Sequence, residues 1–185
     1  ALTLKDVGLN QTRTGLLPVL ARMGARYSIR ESPGPEGGEP WGDIVVEPSE
    51  LVGCEVGDPD IPGLIDEVPI LAIGAARAQG LTRITGAKEL RVKETDRIRA
   101  MVQNLRAIGV EVEELEDGME IQGGDHPLSG RVESFGDHRI AMAFGILNDL
   151  PGNSIEIRGK DVAGVSFPGF WALLASLKRQ QGRQG

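Results

Sequence analysis

The chain carries little from which a redox, metal or nucleic-acid site could be built. A single cysteine, Cys54, excludes an internal disulfide and suits a reducing compartment. It follows a glycine in a strand-like segment and reads as a buried structural thiol. The two histidines, His126 and His138, have no His, Cys or paired carboxylate at ligand spacing, so no metal is expected. No GxGxxG or P-loop pattern occurs, and neither a nucleotide nor any other cofactor is indicated. Aromatics make up only 4% of residues, which leaves the core to Ile, Leu, Val, Ala and Gly. No apolar run approaches the ~18 residues of a membrane-spanning helix. The strand-like start ALTLKDVGLN has no signal-peptide layout, so a cytoplasmic location is expected. Basic residues are also short, 20 against 27 acidic, and the net charge of −7 argues against a nucleic-acid partner. It leaves room for anionic ligands, because a local cluster of cations and helix N-termini can be positive within an acidic protein.

What the chain does have is LRVKETDR, residues 90–97, several ionisable residues leading into a helix. Ile98, Met101, Val102, Leu105 and Ile108 fall at helical spacing, which starts the helix near residues 95–97 with Thr95 or Asp96 as N-cap. Lys93 and Arg97 oppose the positive end of the macrodipole unless an anion sits between them and the free N–H groups. The same design recurs. Asp137-His138-Arg139 precedes IAMAFGIL, Asp66-Glu67 precedes VPILAIGAARA, Thr12-Arg13-Thr14 precedes GLLPVLARMGA, and Ser166-Phe167-Pro168 precedes GFWALLASL. If these helices run parallel, their solvent-facing N-termini gather on one face suited to anions. His138 reads as a hydrogen-bonded spacer beside Arg139 rather than an acid–base group.

An internal repeat predicts that they do run parallel. LVGCEV and the following residues 66–86 match LSGRVE and residues 137–159. Asp66 pairs with Asp137, Gly74 with Gly145 and Gly86 with Gly159, and each copy leads to a second helix. Residues 3–29 resemble only the second half of the unit, Leu20 and Gly24 matching Leu105 and Gly109. Repeats of this length mean stacked units sharing a core. Glycine and proline punctuation gives the order strand–helix–strand–strand–helix–strand. The expectation is a single α/β domain over residues 1–185, quasi-threefold, with its first repeat incomplete and a strand edge and apolar surface left uncovered. Residues 31–42, ESPGPEGGEPWG, read as a long mobile hairpin tip, and residues 178–185 as a frayed tail.

DEVPILAIGAARAQGLTRITGAKELRVKETDRI, FGDHRIAMAF, SFPGFWALL and the early VGLNQTRTG resemble the C-terminal half of the 5-enolpyruvylshikimate-3-phosphate synthase family. The resemblance covers essentially the whole chain, and the RVKETDRI and DHRIAM pair is its most specific part. It implies an inside-out, barrel-like α/β domain of three βαβαββ-type repeats, whose helix N-termini face a second domain across a cleft. It implies that the N-terminal half of the enzyme, and a short N-terminal segment threaded into this domain, lie outside the chain. The implied reaction moves the enolpyruvyl group of phosphoenolpyruvate onto the 5-hydroxyl of shikimate 3-phosphate, through a tetrahedral intermediate that loses phosphate. No metal or redox cofactor takes part.

By the same resemblance, Asp66 takes the hydroxyl proton and holds the shikimate ring. Lys93 contacts that hydroxyl, Glu94 exchanges the methylene proton, and Arg97 and Arg139 clamp phosphoenolpyruvate. Glu89 stands near the shikimate site where other members have Asn. Val165 stands where some members have Lys, which removes one phosphoenolpyruvate contact unless Lys160 reaches in. The determinants of sensitivity to the herbicide glyphosate belong largely to the other half. The related enolpyruvyl transferase that acts on UDP-N-acetylglucosamine shares the fold but differs at both helix starts. A non-catalytic anion-binding domain is the alternative from another class, and the carboxylates among the cations weigh against it.

Overall fold

A computed structural model of the protein describes residues 1–32 and 38–181. The first unit is β1 (Leu2–Gly8), α1 (Leu16–Arg22), β2 (Arg26–Ser32) and β3 (Trp41–Glu47). The second is β4 (Glu55–Val56), α2 (Val68–Arg77), β5 (Gly80–Ile84), α3 (Arg97–Ala107), β6 (Glu111–Leu115) and β7 (Gly118–Gly123). The third is β8 (Ser129–Glu133), α4 (His138–Asp149), β9 (Ser154–Arg158) and α5 (Phe170–Gln181). The complete unit is therefore βαβαββ. This corrects the strand–helix–strand–strand–helix–strand order read from punctuation. The segment between β5 and α3 forms a 3-10 turn, Lys88–Val92, and the paired strands follow the second helix.

Sheet topology shows the repeat directly. β3 lies between β1 and β2, antiparallel to both, as β7 lies between β5 and β6. The parallel pair β4–β5 has its counterpart in β8–β9. The matched glycines explain themselves at two places. Gly24 and Gly109 end α1 and α3 at φ 92° and 94°, and Gly86 and Gly159 follow β5 and β9 at φ 76° and 67°. All four need the left-handed region, where a side chain is disfavoured.

The helices are inside and the sheets outside. α2 is apolar all round, and Leu71, Ala72, Ile73, Ala75 and Ala76 are buried, as an interior helix requires. It packs on α4, α3 and β7, while α3 also covers β6 and β8. Strands alternate between buried and exposed residues, β9 for example burying Ile155 between exposed neighbours. The sheet of the first unit is the exception, and Leu2, Leu4 and Ile29 lie exposed on it.

Two expected boundaries move. Glu31 and Ser32 pair with Gly42 and Trp41, so the hairpin ladder consumes both ends of the segment read as a mobile tip. Residues 33–37 of that segment lie outside the described residues. The last helix runs through Gln181, because nothing in KRQQ breaks it, and only residues 182–185 of the expected tail lie outside the described residues.

Within the core, Thr82 of β5 is fully buried, and its hydroxyl is the one buried side-chain polar atom without a partner among the described residues. Thr82→Val keeps the shape and removes the unpaired group, so it is expected to raise stability by about 1 kcal/mol. Thermal unfolding should show a Tm higher by roughly 2–4 °C. A lower Tm would mean that the hydroxyl has a bonding partner after all.

Candidate active site

Three helix starts converge on one guanidinium. Asp96 caps α3, its carboxylate accepting from the Arg99 N–H at 3.0 Å, and this sets Arg97 at the first helical position. Asp137 caps α4 by accepting from the Arg139 N–H at 2.8 Å. The 3-10 turn Ile65–Glu67 delivers Asp66 to the start of α2, where Pro69 costs no hydrogen bond. Arg97 lies between them, only 1% exposed, and donates from each of its three nitrogens. Nε bonds Asp137 Oδ2 at 2.6 Å, Nη1 bonds Asp66 Oδ1 at 3.1 Å and Nη2 bonds Glu94 Oε2 at 2.5 Å.

Burial opposes the charge of Arg97. The bond and charge of Asp137, with the carboxylates of Glu94 and Asp66, outweigh that opposition and hold its pKa above the usual value. Arg139 reaches Asp66 from the other side, donating to its carboxylate at 3.2 Å and to its backbone oxygen at 3.0 Å. Its Nη1 also lies 3.6 Å from Glu67. A small apolar hollow opens beside this pair between α2 and α4, lined by Pro69, Ile70, Met142, Ile146 and Phe170. Lys93 pairs with Glu89 at 2.6 Å, and that bond raises its pKa.

Asp66, Glu94, Arg97 and Arg139 are thus one bonded cluster, and Lys93–Glu89 stands beside it. The sequence expectation of a solvent-facing helix start fails for Arg97. Its three carboxylates let the guanidinium be buried, which an unpaired cation could not be. The face is also not the cationic surface expected. Lys93, Arg97 and Arg139 are all already paired with carboxylates.

Residues 1–174 match the family described as EPSP synthase (3-phosphoshikimate 1-carboxyvinyltransferase). The chain belongs to the EPSP synthase family. A relative in Alkaliphilus metalliredigens named 3-phosphoshikimate 1-carboxyvinyltransferase is 48% identical over 96% of this chain and 42% of its own length. One in Salinibacter ruber, with the same name, is 50% identical over 92% of this chain and 40% of its own. The solved EPSP synthase of Acinetobacter baumannii superposes with a TM-score of 0.87 at 41% identity, covering 95% of this chain and 41% of that one. The enolpyruvyl transferase NikO of Streptomyces tendae shares the fold, with a TM-score of 0.61 at 21% identity over 89% of this chain and 35% of that one. The chain therefore spans about two fifths of the length of these relatives, and the fold is the inside-out α/β domain of enolpyruvyl transferases.

Sequence reasoning gave no role to Asp137 in this EPSP synthase-family site, yet it is fully buried and joins α3 to α4. The signal was present in the repeat, which matches Asp137 to Asp66. Arg91 was also missed. It binds Asp96 at 2.9 Å, Glu114 at 3.0 Å and the Leu115 carbonyl at 2.6 Å, fixing the segment 91–96 to the β6–β7 hairpin.

Other expectations change. Lys160 does not join the cluster. Its ammonium lies 5.8 Å from the centre of the Trp171 ring, and the Trp171 indole donates to its carbonyl, which holds it on the far side of α4. Val165 is exposed. His138 is partly buried, and its side chain makes no hydrogen bond among the described residues, the cap of α4 being made by Asp137. Cys54 is half-buried rather than buried, and desolvation still pushes its thiol pKa up.

Proposed function

We propose that this chain supplies one half of the active site of a cytoplasmic enzyme that transfers the enolpyruvyl group from phosphoenolpyruvate to the 5-hydroxyl of shikimate 3-phosphate. The observation that carries the reading is Asp66 bonded to Arg97 and Arg139 at once, with Glu94 on the same guanidinium. The reading is supported by two carboxylates, able to carry protons, bonded to two guanidiniums of a kind suited to phosphate and carboxylate. Asp66 takes the hydroxyl proton as the hydroxyl oxygen attacks the central carbon of phosphoenolpyruvate, and Glu94 gives a proton to the methylene carbon. Loss of phosphate, which takes up the proton held by Asp66, and removal of one proton from the new methyl group by Glu94 complete the transfer. Lys93 steadies the attacking oxygen, and Glu89 lies beside it at the shikimate end. Arg139, about a third exposed, meets phosphoenolpyruvate directly. Arg97, buried by its carboxylates, binds the ligand by exchanging Glu94 or Asp66 for it.

The charge balance supports a shared site. Asp66, Glu67, Glu89, Glu94 and Asp137 outnumber Lys93, Arg97 and Arg139, so this face alone repels two polyanionic substrates. The missing cations belong on a complementary half, which also provides the positioning that two-substrate chemistry needs. The chain alone is expected to release no phosphate from the two substrates, and adding the complementary half of a relative to restore release. Steady phosphate release by the chain alone would refute the shared site. Failure of every complementary half to restore it, with the complex formed, would refute the activity.

A further inference from the structure

The repeat puts an aspartate twice at the same place, Asp66 before α2 and Asp137 before α4, yet the two point to different tasks. Asp66 caps no helix, and its side chain is 39% exposed. Asp137 is fully buried, and both of its carboxylate oxygens are engaged. Oδ1 accepts from the Arg139 and Ile140 N–H groups at 2.8 and 3.4 Å, and Oδ2 accepts from Arg97 Nε at 2.6 Å. Its own N–H donates to the Ser134 carbonyl at 2.9 Å, which fixes the residue at its base as well.

These bonds close a ring. Asp137 holds Arg97 by Nε and Arg139 by the backbone N–H, and the two guanidiniums meet again on Asp66. Arg97 Nη1 bonds Asp66 Oδ1 there, and Arg139 Nη2 bonds Oδ2. The carboxylates of the ring are not equally free to leave. Asp66 and Glu94 are 39% and 48% exposed, so water can replace the guanidinium for either of them. Asp137 is 0% exposed, and parting it from Nε would leave a buried charge unpaired. A ligand that displaces Asp66 and Glu94 therefore meets the two Nη groups of Arg97 while Nε stays where it was. The guanidinium is held in place before the ligand arrives, which spares the cost of ordering it on binding.

We infer that Asp137 is a positioning residue for phosphoenolpyruvate binding, one carboxylate that sets the Arg97 guanidinium through Oδ2 and the Arg139 main chain through Oδ1. The inference rests on the reading that these two arginines hold that substrate. Helix capping alone does not account for the residue. A cap needs one acceptor oxygen, which Ser, Thr or Asn supplies as well as Asp does, whereas Asp137 uses two. An amide has one acceptor oxygen and one NH2 group, so Asn at this position can serve one arginine only. With its oxygen kept on the α4 amides, its NH2 faces Arg97 Nε, donor against donor.

The test is Asp137→Asn in the complex of this chain with the complementary half of the Alkaliphilus metalliredigens relative, at a temperature where parent and variant are both folded. KM for phosphoenolpyruvate should rise about 10- to 100-fold, the order expected for a misplaced binding group, and KM for shikimate 3-phosphate should move less than about twofold. In an Arg97→Lys background, which has no Nε–H, Asp137→Asn should add less than about twofold to KM. A second readout needs no substrate. In proton–nitrogen spectra of this chain alone, the Arg97 Nε–H should exchange slowly in the parent and vanish into fast exchange in Asp137→Asn, while the Arg139 and Ile140 amides stay protected. A lower melting temperature with KM and the Nε–H signal unaltered would make Asp137 a helix cap only and overturn the inference. An equal rise in KM in the Arg97→Lys background would also overturn it, since the effect would not then pass through Arg97. Should the parent complex bind no phosphoenolpyruvate, loss of the Nε–H signal in the variant would leave the placement of Arg97 standing and sink the proposed reaction instead.

Discussion

Arg97→Met in this chain is expected to lower folding stability by about 3–5 kcal/mol, the usual loss when one partner of a buried ion pair is removed. The size follows from Asp137 rather than from Arg97 itself. Asp137 is fully buried, and Arg97 Nε at 2.6 Å is its only charged partner among the described residues. Removing the guanidinium leaves that carboxylate uncompensated, and it frees Asp66 and Glu94 from the group that orients them. Asp137→Asn tests the cause, since Asn keeps the cap on α4 but carries no charge. The double variant should be more stable than the sum of the single losses predicts, by roughly 1–3 kcal/mol, because neither charge is then left alone. Urea unfolding of the four proteins gives the cycle. A loss under 1 kcal/mol for Arg97→Met, or additive losses, would return residues 90–97 to a solvated turn of ordinary charge.

This contrast between Arg97 and Asp137 shows what the residues disclosed and what they withheld. Helix starts were legible because capping and apolar spacing are local. α3 begins at Arg97 after Asp96, within residues 95–97 where sequence spacing put it, while α4 begins at His138, two residues ahead of the apolar run IAMAFGIL read as the helix. The repeat was legible because glycines at left-handed turns and aspartates at helix starts sit at matching positions. Burial of Arg97 was not legible, because it depends on carboxylates from positions 66, 94 and 137 meeting at one point. Spacing along the chain says nothing about such a meeting when two of the three are far away in sequence. The element order failed for a related reason. Punctuation marks the gaps between elements and not their type, and Lys88–Val92 closes into a 3-10 turn. Lys160 escaped prediction because its stacking on Trp171 links residues 11 apart across two elements. The roles assigned to Asp66, Glu94, Lys93, Glu89, Arg97 and Arg139 came from family resemblance. The structure adds that four of them form one bonded group.

Glu94→Gln, in the complex of this chain with its complementary half, is expected to reduce kcat by about 100- to 10,000-fold, the range for loss of a general acid–base group. KM for phosphoenolpyruvate should move little, because the amide still accepts from Arg97 and the guanidinium keeps its place. Stability should also hold, since the Glu94 side chain is half-exposed and its loss leaves Asp137 and Asp66 on Arg97. Asp66→Asn should likewise act on kcat, through the proton of the attacking hydroxyl. Arg139→Ala is the contrasting case. On the proposed role it removes a charge-assisted bond to the bound substrate, worth roughly 1.5–3 kcal/mol, so KM for phosphoenolpyruvate should rise about 10- to 150-fold. Steady-state kinetics on the three variants separates the roles, and solvent deuterium adds a check on Glu94. In the parent complex the methylene hydrogens of phosphoenolpyruvate should exchange with solvent during turnover, and Glu94→Gln should stop that exchange. A Glu94→Gln complex that turns over and exchanges at the parent rate would move proton transfer at the methylene carbon to another residue.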